Sequence, residues 1–292
     1  MTKQKRKQKK EKKHIGLKIC LSLLLLIGGM IAYSHYIAPI LVTVNEKKLT
    51  NKTITDNFHG LKLVQFSDLH YGTTITKKQL EKIVKKINQT KPDIVVFTGD
   101  LIDESNKDTE KLEQDLIEQL SKIDTTLGKY MISGEEDHQF DSYIHIMETS
   151  GFKNLNNSYD KIYKETDDYL YIAGVDDTQN GDPDIEQAVP NIEEFNNAKY
   201  RIILLHEPDY IDNFINDYPF DLALAGHSHN GQIRLPFIPT PFYNPNGSKK
   251  YNNPHTKINN TQLYISNGLG TSKIPFRLFN TPSITLYRLT NK

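Results

Sequence analysis

The sequence is nearly without cysteine and wholly without tryptophan, with Cys20 as the one thiol in 292 residues. One thiol excludes an internal disulfide framework, so stability has to come from packing, with bound metal as the other available staple. Cys20 lies in an apolar stretch and reads as a small hydrophobe. Net charge is missing too, since 36 Lys and Arg balance 36 Asp and Glu. That balance hides an asymmetry: residues 1–18 carry nine basic side chains against Glu11 alone. Setting that arm aside leaves 27 basic and 35 acidic residues, a body of about −8. Nucleic-acid binders usually show a basic body, so nucleic acid is not an expected partner. Few glycines and 37% hydrophobic content argue against a fibrous or disordered chain and allow one large core or two small ones.

Asp, Glu, Lys and Arg are all absent from Ile19 to Val44, and Ile19–Tyr33 is densely apolar. A helix needs about 20 such residues to cross the hydrocarbon layer. The basic arm before it places the N-terminus inside and the rest outside. The expected organisation is a basic cytoplasmic arm (1–18), a single-pass transmembrane anchor (19–44), a polar tether or first edge strand (45–60) and an extracytoplasmic domain (61–292). A rival reading is a cleaved signal peptide, since Ala32-Tyr33-Ser34 has the small-x-small pattern of a processing site. The apolar stretch resumes past it at Ile40-Leu41-Val42, which favours a retained anchor.

Beyond residue 60, short apolar runs alternate with helical patterns. Strands are expected at Leu61–Phe66, Asp93–Thr98, Tyr130–Ser133, Arg201–Leu205, Asp221–Ala225, Gln262–Ser266 and Ser283–Leu289. Tyr159–Tyr163 and Tyr169–Val175 read as a hairpin. Leu80, Ile83, Val84 and Ile87 repeat at helical spacing within Thr76–Gln89. Further helices are expected over Thr109–Ile123, near Phe140–Thr149 and from about Pro208, with a long loop over 236–260. Strand–helix alternation followed by hairpin strands argues for a mixed α/β sandwich in one domain.

Acids and histidines gather directly after the predicted strand ends, where α/β sheets collect their ligand sites. Five clusters follow in order: Asp68-Leu69-His70, Gly99-Asp100-Leu101-Ile102-Asp103, Gly134-Glu135-Glu136-Asp137, His206, and Gly226-His227-Ser228-His229. Each alone is weak, because a single His after a strand is commonly structural. Together they supply imidazole and carboxylate, the donor mixture of Mn²⁺, Fe²⁺ or Zn²⁺ rather than of Mg²⁺ or Ca²⁺. Two such ions can share a carboxylate, activate a bridging water and clamp phosphoryl oxygens. With no cysteine among the donors, a structural zinc site is not expected.

The order D-x-H, G-D-x-x-D, G-N-H-[D/E], H, G-H-x-H resembles the calcineurin-like metallophosphoesterases. His206-Glu207-Pro208-Asp209, Gly226–Leu235 and Asn267–Arg277 look like their membrane-anchored bacterial branch. The resemblance runs from about Leu61 to the C-terminus and implies a four-layer β-sandwich flanked by helices, with two divalent ions. By position it implies Asp68, His70 and His229 at one metal and His206, His227 and residue 135 at the other. Asp100 would bridge the two, and Asp103 would orient a ligand.

The departure lies at Gly134-Glu135-Glu136-Asp137-His138, where the family has Gly-Asn-His-Asp. Glu135 can still ligate through oxygen, but three carboxylates against two divalent ions leave about +1 rather than +2. Glu136 replaces the histidine that meets the scissile phosphate or leaving oxygen. Either Glu136 is held protonated, or a longer turn brings His138 into the vacant role, or the loop no longer serves catalysis. A leaving alkoxide needs a proton, whereas a leaving phosphate is stable as an anion. The altered loop therefore fits a diphosphate bond better than an alkyl ester.

The expected function is a two-metal hydrolase of phosphoester or diphosphate bonds, working by attack of a metal-bridging hydroxide. Its expected partners are the bilayer and a phosphorylated lipid or cell-envelope precursor. The loop 235–255, rich in Pro, Tyr and Phe, is a candidate lid with apolar tips. The alternative is a non-catalytic metal-binding envelope protein that keeps the fold.

Overall fold

The computed structural model describes residues 3–107, 109–238 and 243–292, with side chains from residue 14 onward, apart from position 108 and positions 239–242. Part of the basic arm and the middle of the candidate lid, residues 239–242, lie outside the described residues.

Two six-stranded sheets face each other. The first contains β1 (Thr43–Thr50), β2 (Lys62–Phe66), β3 (Ile94–Thr98), β4 (Gly128–Ile132), β5 (Phe152–Asn154) and β12 (Ser283–Thr290). Its order is β1-β12-β2-β3-β4-β5, with β2 through β5 parallel. The second contains β6 (Ser158–Tyr163), β7 (Tyr169–Gly174), β8 (Tyr200–Leu205), β9 (Leu222–Ala225), β10 (His255–Ile258) and β11 (Thr261–Ile265), in the order β10-β11-β9-β8-β7-β6. The central strands are short and buried on both faces, as parallel strands covered on two sides must be.

The alternation along each strand generates the layers. Leu63, Ile94, Val96 and Ile132 point inward and meet Ile172, Ile202, Leu204 and Leu224 of the second sheet. Val64, Phe66, Val95, Phe97 and Met131 point outward under α2 (Lys77–Gln89), α3 (Glu110–Leu120) and α4 (Tyr143–Thr149). Helix α2 buries Leu80, Ile83, Val84 and Ile87 on one face, and the Thr76 side chain caps its start by accepting from the Gln79 amide. On the far side, Ala173, Ile203, Leu205 and Ala223 pack against Phe195, Phe214 and Phe220. Burying each large apolar side chain contributes about 1.5–3 kcal/mol. The result is a four-layer helix–sheet–sheet–helix sandwich, as expected.

Helix α1 runs over Lys3–Ala32 and continues through a π turn (Tyr33–Ile37) and a 3-10 turn (Ala38–Ile40). The segment His14–Ile40 is long and apolar enough to cross a membrane, and its most apolar stretch is not buried by the rest of the chain. Of the two readings of 45–60, the first edge strand holds as far as Thr50, because β1 lies at the sheet edge and pairs in parallel with β12 from Thr43↔Ser283 to Thr50↔Thr290. That strand is polar and mostly exposed, so apolar alternation does not announce it. The expected helix at Pro208 is a 3-10 segment, Pro208–Asn213, and the 236–260 loop contains β10, paired with β11.

Candidate metal centre

Five strand ends converge between the sheets. Asp68 and His70 follow β2, Asp100 follows β3, Glu135 follows β4, His206 follows β8, and His227 and His229 follow β9. The chain takes unusual turns to aim them: Asp68 (φ 50°), His70 (42°), Asp100 (60°), His227 (67°) and His229 (47°) all occupy the left-handed region. Such positions cost about 1–3 kcal/mol each and persist only where the surroundings over-determine them. Here main-chain bonds do so: Leu69 and His70 N–H both donate to Asp100 O, at 2.7 and 3.1 Å. His227 N–H donates to Asp68 Oδ1 at 2.8 Å. Asp137 clamps the other side, its carboxylate accepting from the amides of Asp100, Leu101 and Gly134, each at 2.8 Å. Gly134 admits no side chain, because a Cβ there would lie 2.4 Å from Asp100 Oδ1 and 2.7 Å from His206 Cε1.

The donor atoms fall into two groups that adjoin at Asp100. In one, Asp68, His70 and His229 converge, with His70 Nε2 3.0 Å from His229 Nε2 and His229 Nε2 3.4 Å from Asp68 Oδ1. In the other, Asp100, Glu135, His206 and His227 converge, with His206 Nε2 2.8 Å from Glu135 Oε2 and His227 Nδ1 2.9 Å from Glu135 Oε1. Asp100 Oδ2 stands 3.3 Å from His206 Nε2 and 3.8 Å from His70 Nε2.

These residues fit divalent ions. Asp68 Oδ2 and His206 Nε2 are buried and make no hydrogen bond, although carboxylate oxygens crowd the latter. The outer ring nitrogens are tied down: His206 Nδ1 lies 2.6 Å from Thr98 O, His70 Nδ1 2.9 Å from Glu136 Oε2, and His227 Nε2 2.7 Å from Asn246 O. An outer N–H donating in this way leaves the inner nitrogen's lone pair free for a metal. Protonation tells the same story. Burial would lower His70, but Glu136, Asp100 and Asp68 raise it to about 9. Burial also lowers His206, yet Asp100 and Glu135 carry it well above its ordinary value. Burial and the Glu135 charge push Asp100 up to about 6. Burial works to raise Glu135, but His206 and His227 draw it below its ordinary range. Burial, with the charges of His70 and Arg277, drives His229 well down. Without metal, protons on imidazoles supply the positive charge that the carboxylates demand.

The departing loop is placed as follows. Glu135 sits among the second donor group. Glu136 folds onto His70 Nδ1 and accepts the Glu104 amide at 3.0 Å. Asp103, expected to orient a ligand, has Oδ2 4.0 Å from His70 Nδ1, while its Oδ1 accepts the Ser105 amide at 3.0 Å. The closer contact to His70 belongs to Glu136. His138 does not enter either donor group; its Nε2 lies 3.0 Å from Asp176 Oδ1 and 2.7 Å from Asp177 Oδ2. Sequence reasoning gave no role to Asp137, although it fills the last position of the G-N-H-D pattern. It also missed Asn180, whose side chain donates to Glu135 O at 2.7 Å, and Asn280, which donates to His229 O at 2.7 Å.

A helix-flanked double sheet that gathers imidazole and carboxylate donors at its strand ends is a fold built to hold metal ions. A sequence profile of the calcineurin-like phosphoesterases matches residues 61–231, over half the chain, and the protein belongs to that family. It is 35% identical over 265 residues to the uncharacterized metallophosphoesterase YkuE of Bacillus subtilis (strain 168), covering 90% of each chain. It is 28% identical over 250 residues to a transmembrane protein with metallophosphoesterase domain from Danio rerio, covering 80% of this chain and 54% of that one. It is 26% identical over 294 residues to the UDP-2,3-diacylglucosamine pyrophosphatase LpxG of Chlamydia muridarum (strain MoPn / Nigg), covering 80% and 84%. The family binds two divalent metals, and the clustered donors here match that requirement.

Proposed function

We propose that the chain is a membrane-anchored phosphohydrolase that cleaves a diphosphate bond in a phosphorylated lipid or envelope precursor. The observation that carries this reading is the pair of donor groups adjoining at Asp100. Asp68, His70 and His229 would hold one ion, and Glu135, His206 and His227 the other, with Asp100 between them. Mn²⁺, Fe²⁺ or Zn²⁺ suits the mixed donors. When bound, such a pair supplies an activated water and a clamp for phosphoryl oxygens.

The chain's own residues account for the leaving group. Glu136 is engaged by His70 and the Glu104 amide, which leaves it unsuited to protonate an alkoxide. A departing phosphate needs no such proton. The diphosphatase named among the relatives supports the same substrate class. The apolar segment His14–Ile40, preceded by the basic arm, supports anchoring with the body on the extracytoplasmic side.

The test uses the full-length chain loaded with Mn²⁺, comparing a nucleotide-linked diphosphate with an alkyl phosphodiester. The wild type should favour the diphosphate. At saturating Mn²⁺, Glu135→Asn with Glu136→His should raise the ratio of the alkyl rate to the diphosphate rate by roughly 10²–10⁴-fold, the usual worth of general acid help, whatever the change in metal affinity does to both rates together. A uniform change on both substrates would refute the leaving-group argument.

A further inference from the structure

The anchor does not end at a free hinge. Ser34, in the π turn after α1, is buried, and its carbonyl accepts the Arg277 amide at 3.0 Å. His35 Nδ1 lies 3.1 Å from Pro275 O, and its ring sits 5.0 Å from that of Phe276. Met30 and Tyr33 line one small recess together with Leu278 and Phe279. Segment 275–279 therefore grips the end of the membrane helix and fixes the body's orientation against it.

The surface around that grip is apolar. Among the described residues beyond Val44, six of the eight exposed large apolar side chains fall in two segments: Leu235, Phe237, Ile238 and Tyr243 in one, Ile274 and Phe279 in the other. These segments adjoin, since the Arg234 amide donates to Leu278 O at 2.9 Å and the Leu278 amide to Gln232 O at 3.0 Å. Lys273 Nζ donates to the Tyr243 hydroxyl at 3.2 Å, which puts a cation at the edge of the patch. Tyr33 and Tyr36 are exposed on the adjoining anchor turn. Exposed tyrosines, apolar tips and a lysine at the edge are the composition of a surface that dips into a bilayer.

The same segment reaches the metal centre. Arg277 is fully buried, and its Nη2 lies 3.4 Å from His229 Nδ1. Asn280 holds the His229 carbonyl.

We propose that segments 235–238 and 274–279 form a membrane-seated face, whose partner is the lipid bilayer surface. The body then rests on the bilayer beside its own anchor, and a lipid phosphate reaches the metal centre without leaving the headgroup layer. This rests on the anchored, lipid-directed reading above, and adds the contact face and the direction of substrate entry.

The test uses the full-length chain in vesicles of phosphatidylcholine and phosphatidylglycerol, in a Cys20→Ser background. Single cysteines carrying an environment-sensitive fluorophore are placed by Phe237→Cys, Phe279→Cys, Ile192→Cys and Leu25→Cys. Probes lying about 5–10 Å into the headgroup and acyl boundary should emit to the blue and be quenched by bromine on the acyl chains. Those at 237 and 279 should behave so, and the one at 192 should instead be quenched by aqueous iodide. If 237 and 279 match 192 while 25 responds to bromolipid, the seated face is overturned and the anchor stands. If 25 does not respond to bromolipid either, the anchor reading fails, and this proposal with it. If 237 and 279 are shielded from both quenchers, protein covers the patch, which also overturns the proposal.

Discussion

Glu136 is the residue on which the two accounts of the altered loop part. If it is a displaced leaving-group acid, its removal should slow chemistry and leave the metals alone. The geometry points elsewhere: one oxygen lies 2.9 Å from His70 Nδ1 and takes the Glu104 amide at 3.0 Å. Glu136→Ala would strand a buried imidazole N–H and free the ring to turn its Nε2 away from Asp68 and His229. Loss of such an outer partner costs about 10–100-fold in metal affinity, equivalent to about 1.4–2.7 kcal/mol. Glu136→Gln keeps an acceptor but loses its charge. Charged hydrogen bonds are roughly twice as strong as neutral ones, so the Gln variant should lose about 1 kcal/mol, some fivefold in affinity. Chelator competition with Mn²⁺ and Zn²⁺, read by metal content per chain, measures both. One ion should weaken, more in Ala than in Gln, while the other keeps its affinity. Unchanged binding of both ions, together with a slower alkyl-ester rate and an intact diphosphate rate, would refute this account and return Glu136 to the role of acid.

Two further outcomes follow from the same geometry. Asp100→Asn should lose one metal equivalent and nearly all activity while the fold survives, as judged by metal analysis and circular dichroism; two retained ions with unchanged rate would remove Asp100 from the bridging position. His70 gives a pH dependence: burial would lower it, yet Glu136, Asp100 and Asp68 raise it to about 9 without metal, against about 6.5 in an unfolded chain. The stabilisation from that bound proton is complete below about 6.5 and lost as pH rises through about 9. Chelator-treated protein should thus melt at lower temperature near pH 9 than near pH 6.5, while metal affinity rises across the same window because protons no longer compete.

The clustering of the candidate donors was legible because strand ends and polar clusters coincide in the sequence. Leu63–Phe66, Ile94–Thr98 and Leu222–Ala225 are apolar runs that stop where the acids and histidines begin. The parts that stayed hidden depend on partners distant in the chain. Strand β1, TVNEKKLT, has no apolar face, so the sequence left tether and edge strand both open, and β12 beside it decides for the strand. The three-residue β5 exists as the edge neighbour of β4. Asp137 reads as one more acid in an acidic turn; its three amide contacts appear only when β3 and β4 are side by side. The destinations of Glu136 and His138 were likewise undetermined, because a turn of four polar residues allows several directions and the neighbours decide among them.

The pairing of β1 with β12 constrains the order in which the molecule can be built. Strand β12 lies between β1 and β2, so the strand that follows α1 has no sheet neighbour until β12 arrives. The hydroxyls of Thr50 and Thr290, 240 positions apart, finish 3.0 Å from each other. Closing so long a loop before any local contact rewards it slows assembly. During synthesis β1 waits as an open edge, while the layers between it and β12 can already pack. The first sheet is therefore sealed last, and loss of β12 would leave β1 and β2 each with an unpaired edge.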